Sequence, residues 1–270
     1  MYGTSLVPYL GGSVKIDRNR KLLLGKEFET NSCGKCVVIE YNNNLNVLVE
    51  FIDYPHVVRC RLGCLRQGRV KNPYYPTYHG KGFLGEGKYN IEDDKDAYSL
   101  WRSMILRAYG ESYHNLRPTY RDVEVCDEWL NFQNFTEWFY SQKFSRAIDD
   151  VGNFYALDKD ILVKGSKIYS PNTCSFVPRD VNALLVKRDK KRGDLPIGVR
   201  YNKTGKRFCV GLSYFGKSIT LGIYDSLESA FNVYKKAKES YIKEIAEIWK
   251  DRIDERVYQA LLNYEVHIDD

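Results

Sequence analysis

The apolar pattern of this chain changes its period near Asp96, and this change constrains the fold more than any other feature of the sequence. Upstream, residues 36–41 and 46–52 are short runs of β-branched and aromatic residues, which are typical of β-strands. Downstream, apolar residues recur every three or four positions over 97–108, which predicts an amphipathic helix that ends at Gly110. We therefore expect an α+β fold.

The N-terminal part of the chain, residues 1–76, predicts a small β module. The triplet Asn42–Asn44 lies between the two strand-like runs and favours a tight turn, so the runs are expected to form a hairpin. A third run at 56–61 and a fourth around Val70 extend this hairpin to an antiparallel sheet or barrel. Residues 77–95 are rich in Tyr, Pro and Gly and have no apolar period, so we interpret them as a linker.

Two cysteine pairs in this module have a spacing that resembles the knuckles of a zinc ribbon. Cys33 and Cys36 are separated by two residues, and Cys60 and Cys64 by three. The alternative is that all four are small, half-buried residues on β-strands. The chain has neither a stretch of about 18 apolar residues nor a basic, apolar leader. We therefore expect no membrane span, a cytoplasmic location and reduced thiols.

The middle region, residues 96–186, combines helices with short β-like segments. A second helical stretch is predicted over 126–142, with an interruption near Asn131. It is marked by an aromatic stripe of Trp129, Phe132, Phe135, Trp138 and Phe139. Such a stripe packs into a core far more often than it stacks on bases. Residues 158–178 then alternate β-like pieces with turns, and a helix is expected to begin at Arg179.

A basic segment, residues 187–196, separates the middle region from the last predicted domain, residues 197–270. Three short strands are predicted at 197–202, 207–213 and 217–223. Asp225 and Glu228 then resemble a capping box at the start of a long helix. The apolar residues of this helix are expected to cover one face of the sheet.

The helix leaves the other face of this three-stranded antiparallel sheet open. Alternation along the strands assigns six apolar residues to the covered face: Phe208, Val210, Leu212, Ile219, Leu221 and Ile223. It assigns a second set to the open face: Arg200, Asn202, Arg207, Cys209, Ser213, Ser218 and Thr220. The open face is therefore expected to be polar and basic.

Positive charge is concentrated in the same part of the chain. The net charge is +6, and residues 181–240 contain thirteen Lys and Arg but only five Asp and Glu. Such a bias is typical either of phosphate binding or of an ordinary solvated face. If the open face enters a major groove, its base-reading candidates are Arg200, Asn202 and Arg207. Phosphates are then neutralised by the other cations, namely Lys187, Arg188, Lys190, Lys191, Arg192, Lys203, Lys206 and Lys217.

Four motifs in this domain resemble, in order, the DNA-binding domain of the APETALA/ethylene-response-factor family. They are Gly198-Val199-Arg200, Gly205-Lys206-Arg207-Phe208, Leu221-Gly222-Ile223-Tyr224-Asp225, and Glu228 with Ala230. The family often has Trp after the Gly-Lys pair, whereas this chain has Phe208 one place further on. The resemblance implies a domain that binds double-stranded DNA, and such domains also occur in phage homing endonucleases.

The middle region is similar to HNH-type, or ββα-metal, endonucleases of phages and mobile elements. The matching motifs are, in order, Val123-Glu-Val-Cys126-Asp-Glu-Trp129, Phe132-Gln-Asn-Phe135, Leu157-Asp158-Lys159-Asp160 and Tyr169-Ser-Pro171-Asn-Thr-Cys174. The family typically uses a His beside an Asp as general base, and a second His or Asn on the metal. Here Lys159 stands at the position of the base, and Thr173, or Asn172 with a slip of one residue, at that of the metal ligand. None of the four histidines lies in the motif: His56, His79, His114 and His267.

This departure affects the predicted chemistry. A Lys side chain with an ordinary pKa of about 10.4 is charged and cannot accept a proton from water. Asp158 and Asp160 could still hold Mg²⁺ and form an improvised nuclease site with Lys164. The alternative is that these charged residues form surface ion pairs in a retained scaffold.

The sequence thus predicts an α+β protein in three parts: a small N-terminal β module, a middle domain with a degenerate ββα-metal motif, and a C-terminal three-stranded sheet packed on one helix. The favoured function is sequence-preferring binding of double-stranded DNA by a phage-type protein that descends from an HNH homing endonuclease. The alternatives are an active Mg²⁺-dependent endonuclease or nickase, and a phage factor that binds a host protein. The N-terminal module either contacts DNA or docks a protein.

Overall fold

A computed structural model of the protein describes residues 18–185 and 195–270. The chain is mixed α and β, as expected, and divides into two compact units, one up to Gly87 and one from Lys88 onward. The division falls inside the segment interpreted as a linker. Among the described residues, no helix has the length and apolar character needed to cross a membrane.

The first unit is built on a four-stranded antiparallel sheet in which each strand pairs with the next along the chain. The strands are β1 (Glu27–Glu29), β2 (Lys35–Asn43), β3 (Asn46–Phe51) and β4 (Val57–Cys60). A short helix, α1 (Arg18–Leu23), precedes them. Side chains alternate along β2 and β3, so one face of the sheet supplies the core, where Val38, Val47 and Val49 are buried. The hairpin predicted around the Asn triplet is confirmed.

The prediction of a strand around Val70 is wrong. After β4 the chain forms a short helix, α2 (Leu62–Arg66), and Val70 is buried without belonging to a strand. Leu62 and Leu65 are three positions apart, which places both on one side of a helical turn, and both lie in the core of the sheet. Val57 and Val58 before this segment and Val70 after it are β-branched, so the sequence around α2 resembles a strand.

The second unit begins with helices around an aromatic core. The helices are α3 (Lys95–Tyr109), α4 (Glu111–Leu116), α5 (Asp127–Leu130) and α6 (Phe132–Ser141), with a 3₁₀ turn at Pro118–Tyr120. The predicted interruption near Asn131 is the start of α6, where the Asn131 side chain accepts a hydrogen bond from the backbone N–H of Gln133. Four of the five aromatic residues in the predicted stripe are buried, which confirms that the stripe is core.

Short strands and one helix form the centre of this unit. They are β5 (Glu124–Val125), β6 (Ala156–Asp158), β7 (Ile168–Tyr169), β8 (Ser175–Val177) and α7 (Arg179–Leu184). β6 pairs antiparallel with β8, while β7 pairs parallel with β5. Because α7 directly follows β8, the elements β6, β8 and α7 have the strand–strand–helix order of a ββα motif.

The C-terminal part contains a three-stranded antiparallel sheet and two helices. They are β9 (Val199–Tyr201), β10 (Phe208–Tyr214), β11 (Lys217–Tyr224), α8 (Leu227–Trp249) and α9 (Glu255–Leu262), with a 3₁₀ turn at Lys250–Arg252. β10 is the central strand. α8 packs on one face of the sheet, where Val199, Val210 and Leu212 are buried. The three predicted strands and the long helix are confirmed.

A β-bulge in this sheet changes which face Ile223 occupies. The register shifts between Val210 and Gly211, so β11 contains one extra residue, Leu221. The alternation of β11 reverses there, and Ile223 pairs with Cys209 on the face away from α8. The prediction that Ile223 lies under the helix is therefore wrong, and its side chain is 47 % exposed.

The predicted capping box at the start of α8 is also wrong. The N-cap is Ser226, whose hydroxyl accepts a hydrogen bond from the backbone N–H of Ser229 at 3.1 Å. Asp225 instead forms an ion pair with Arg207. A serine hydroxyl one position later performs the capping role that the sequence pattern assigns to Asp225.

The regions predicted as separate middle and C-terminal domains form one compact unit. The hydroxyl of Tyr155 donates a hydrogen bond to the backbone oxygen of Arg252 at 3.1 Å, and its ring packs edge-on against Trp249 at the end of α8. The Arg252 guanidinium forms a bidentate pair with Asp150. The far end of α8 thus packs against the chain that leads into β6.

Candidate nucleic-acid interface and the ββα site

Arg200 stands on the open face of the C-terminal sheet. Because β10 pairs with both β9 and β11, the side chains of Arg200, Cys209 and Ile223 lie side by side across the three strands. Arg200 is exposed and forms no ion pair with any residue that the structure describes. Further along, the face carries short hydroxyl side chains, those of Ser213, Ser218 and Thr220. Cys209, between Arg200 and Ile223, is itself buried.

The turn between β9 and β10 is held by Asn202. Its amide oxygen accepts hydrogen bonds from the Thr204 hydroxyl at 3.0 Å and from the backbone N–H groups of Lys206 and Arg207 at 3.1 and 3.2 Å. Lys203 and Lys206 lie in this hydrogen-bonded turn, and both are exposed. Base reading by Asn202 stays a prediction, and it would require this oxygen to leave its three donors.

The third base-reading candidate, Arg207, is paired with a carboxylate. Its Nε and Nη2 donate to the two oxygens of Asp225 at 2.6 and 3.1 Å, a bidentate geometry. Both side chains are exposed, so the pair is screened by water and weak. Arg207 therefore belongs to an exposed group with Arg200, Lys203 and Lys206, which we call the hairpin cluster.

The other cations predicted to neutralise phosphates are not among the described members of the hairpin cluster. Lys217 pairs with Tyr214 at the opposite end of the sheet, and Tyr214 bonds to Glu244 of α8, so Lys217 is on the covered side. Lys187, Arg188, Lys190, Lys191 and Arg192 lie outside the described residues. The hairpin cluster is thus the part of the predicted interface that the structure places together.

In the ββα region, the carboxylate of Asp158 is turned into its own loop. Its Oδ1 accepts hydrogen bonds from the backbone N–H groups of Asp160 at 2.8 Å and Ile161 at 2.7 Å. Burial raises the pKa of the Asp158 carboxyl, and the two backbone hydrogen bonds oppose this shift. Asp158 therefore stabilises the loop that follows β6.

Lys159 is buried, with 7 % of its surface exposed, and its ammonium group is fully hydrogen-bonded. It donates to both carboxylate oxygens of Asp160 at 2.8 Å and to the backbone oxygen of Ser166 at 2.8 Å. An ammonium group has three N–H donors, and all three are used. Lys159 is thus placed as a charged donor and not as a proton acceptor.

The other residues proposed for the nuclease site also have structural partners. The Thr173 hydroxyl donates to the backbone oxygen of Ile168 at 2.6 Å. The Lys164 ammonium bonds to Asp270 Oδ2 at 2.7 Å and to the backbone oxygen of Glu265 at 2.9 Å. Asn172 is exposed.

We tested whether these residues suit the Mg²⁺ that the ββα resemblance implies. Mg²⁺ is bound through carboxylate oxygens that remain available to it, whereas Asp158 holds backbone N–H groups and Asp160 holds an ammonium group. Within residues 18–185 and 195–270, no group of three or more His, Cys, Asp or Glu side chains could hold a metal ion. The donor set does not fit a Mg²⁺ site.

Asp158, Lys159, Asp160 and Lys164 line a cleft of about 480 Å³. Its wall includes Arg107 from α3 and Tyr169 from β7, whose side chains are hydrogen-bonded to each other. Sequence reasoning did not connect Arg107 with the ββα motif, because some fifty residues separate it from Asp158 and no spacing rule links them. The cleft is lined by cations that are already engaged with protein groups.

The cysteines proposed as zinc ligands lie in or beside the core of the first unit. Cys33 and Cys36 are buried, while Cys60 and Cys64 are half-buried, and all four are free thiols. Burial, followed by the neighbouring Cys60, raises the pKa of Cys36 to about 11, so this thiol keeps its proton at neutral pH. All four cysteines are among the described residues, and these residues contain no group of three or more side chains that could hold a metal ion.

Comparison with known proteins adds no assignment: no protein-family model, curated protein or solved structure matches the chain.

Proposed function

We propose that the protein binds double-stranded DNA through the hairpin cluster and the open face beside it. The observation that carries this proposal is the grouping of Arg200, Lys203, Lys206 and Arg207 at one end of an uncovered sheet, all of them exposed. Asp225 is the one carboxylate among the described residues that pairs with a member of the cluster. A two- or three-stranded sheet fits a major groove, and a basic surface beside it neutralises phosphates.

The side chains suggest a division of roles. Arg200 stands on a strand and is free to make two hydrogen bonds to a guanine edge, while Lys203 and Lys206 stand on the turn and meet phosphates. The bulge places Ile223 in the same row across the strands as Cys209 and Arg200. Its apolar side chain could contact the methyl group of a thymine. The APETALA-like motifs support this choice of face, and descent from an HNH homing endonuclease is part of the proposal.

A pair of double variants tests the proposal. Arg200→Ala with Lys206→Ala should weaken duplex binding at least about tenfold, and should reduce the slope of log K against log salt by about two. The control is Lys236→Ala with Lys243→Ala, which removes the same charge from exposed positions on α8, the helix on the covered side. Fluorescence anisotropy over a series of salt concentrations gives both quantities.

Equal losses in the two double variants would show that only net charge matters and would refute the hairpin cluster as the site. Absence of duplex binding by the wild type even at low salt would refute DNA binding and favour the alternative of a protein partner.

The endonuclease alternative rests on the strand–strand–helix order of β6, β8 and α7. Incubation of supercoiled DNA with Mg²⁺ or Mn²⁺ tests it. We expect no nicking, because Asp158 and Lys159 are committed to hydrogen bonds within their own loop. Nicking by the wild type that Asp158→Ala abolishes would establish the enzyme instead.

A further inference from the structure

The first unit contains the most uniformly basic short segment among the described residues. Residues 59–71 carry five Lys and Arg and no Asp or Glu. The segment runs from the end of β4 through α2 into the following loop, and its five cations are Arg59, Arg61, Arg66, Arg69 and Lys71. All five are exposed.

Four of these cations surround a cleft of about 460 Å³. Arg59, Arg61, Arg69 and Lys71 line it together with the half-buried thiols of Cys60 and Cys64, and the remaining lining is aliphatic. None of the described lining residues is acidic. We call this site the cationic cleft.

Backbone geometry directs the arginines to the same side. Arg61 is extended, with φ −88° and ψ 142°, and continues the direction of β4. Side chains two positions apart on an extended segment point the same way, so Arg59 and Arg61 are parallel and about 6.6 Å apart along the chain. The Arg69 backbone N–H bonds to the oxygen of Cys64 at 2.9 Å, which holds Arg69 close to another residue of the lining.

The cations of the cleft are not neutralised by the protein as described. Arg59 donates to the amide oxygen of Asn46, which is uncharged. Arg61, Arg69 and Lys71 form no ion pair with any residue in the described ranges. Like charges held this close repel one another, and an anion that enters the cleft relieves the repulsion.

We propose that the cationic cleft of the first unit binds the phosphate backbone of duplex DNA, as a second contact in addition to that of the hairpin cluster. This inference rests on the proposed function in one respect: the choice of duplex DNA as the anion that binds the cleft. Arginine forks match phosphate oxygens bidentately, and three of the four cations are arginines. Single-strand binding sites use aromatic side chains to stack bases, and the described lining contains none. Two tethered sites on one duplex also increase the overall affinity.

The thiols inside the cleft allow a direct test. N-ethylmaleimide alkylation of the full chain is followed by peptide mass spectrometry in mildly alkaline buffer, because burial and the neighbouring Cys64 raise the pKa of Cys60. Saturating duplex should slow alkylation of Cys60 and Cys64 several-fold, whereas Cys126, which is half-buried in the other unit, should keep its rate. Arg61→Gln with Arg69→Gln should lose this protection.

A second comparison separates this inference from the proposed function. At saturating duplex, Arg200→Ala with Lys206→Ala should retain the protection of Cys60 and Cys64, since the cleft is intact. Failure of the wild-type protein to protect these thiols while it binds DNA would refute the cleft and leave the hairpin cluster standing. Equal protection by single-stranded DNA, or by vesicles of anionic lipid, would refute the assignment to duplex DNA.

Discussion

Two groups of cations in the second unit have opposite environments. In the ββα cleft, Lys159 is buried with three hydrogen bonds and Lys164 bonds to Asp270, so these charges hold the fold together. In the hairpin cluster, Arg200, Lys203 and Lys206 are exposed, without ion pairs to described residues. The comparison teaches that a basic stretch of sequence yields a candidate binding surface only where most of its cations are not paired within the protein. Substitutions at four positions, with their controls, can break or sharpen this contrast.

The largest effect is expected at Gly198, which lets the sheet lie against α8 and so defines the open face. Its φ is +78°, and a Cβ atom there would lie 2.0 Å from the ring of Tyr234, which is buried. Gly198→Ala should cost about 3 kcal/mol of unfolding free energy, measured by urea titration.

Gly205→Ala is the matched control, since its φ is +70° with no atom within 4 Å of the added Cβ. It should cost about 1 kcal/mol, the backbone contribution alone. Equal losses at the two glycines would show that the contact with Tyr234 does not hold the sheet on the helix.

In the ββα cleft, Lys159→Ala should lower the free energy of unfolding by about 2 kcal/mol. The substitution removes three hydrogen bonds and leaves the Ser166 oxygen without this donor. Lys203→Ala, at the exposed turn, should leave the urea midpoint unchanged. If the two variants were equally stable, the contrast between structural and unpaired lysines would be lost.

A smaller effect is expected from two substitutions of Asp158. Asp158→Ala should lower the free energy of unfolding by about 1 kcal/mol, because the backbone N–H groups of Asp160 and Ile161 lose their acceptor. Asp158→Asn keeps an acceptor oxygen on the side chain. The pKa of Asp158 is raised above its ordinary value of 3.8, so the carboxyl favours the folded state when protonated and loses this advantage as pH rises through the raised pKa.

Asp158→Asn should therefore gain stability relative to the wild type as pH rises through that window, with no gain below pH 3.8. Urea titrations at a series of pH values measure this difference. A relative stability of the Asn variant that falls with rising pH would show that the hydrogen bonds, and not burial, dominate the pKa.

The smallest effect is expected at Asp225. Asp225→Asn removes the carboxylate that holds Arg207 and should strengthen duplex binding about fivefold. This factor corresponds to about 1 kcal/mol, the interaction energy of two unit charges in contact in water. The thermal midpoint should not change measurably, because the pair is exposed. Weaker duplex binding by this variant would mean that the ion pair presents Arg207 in the orientation that DNA requires.

Several helices and strands predicted from apolar spacing are confirmed. The helix from Lys95 to Tyr109, the buried aromatic stripe and the three C-terminal strands all follow from spacing of apolar residues, because local geometry brings such residues to one side. The predictions that failed concern single residues. Ile223 changed faces because of one extra residue in β11, and Val70 left its predicted strand because two leucines favoured a helical turn.

Site residues were harder to predict, for a related reason. Asp158, Lys159 and Asp160 are adjacent and charged in any reading of the sequence, yet their roles depend on which atoms fold back on them. Asn202 and Arg207 suit base reading by residue type, but one holds a turn and the other an ion pair. The cationic cleft corresponds in the sequence to a run of basic residues without acids, residues 59–71.

The sequence by itself determined the α+β class, the positions of most helices and strands, and the concentration of charge near the C-terminal sheet. These properties follow from local periodicity and composition, which each segment carries with it. Only the tertiary structure decided which cations are paired, which face Ile223 occupies, and that the middle and C-terminal regions form one unit. Those outcomes depend on contacts between residues far apart in the chain, and no local pattern encodes them.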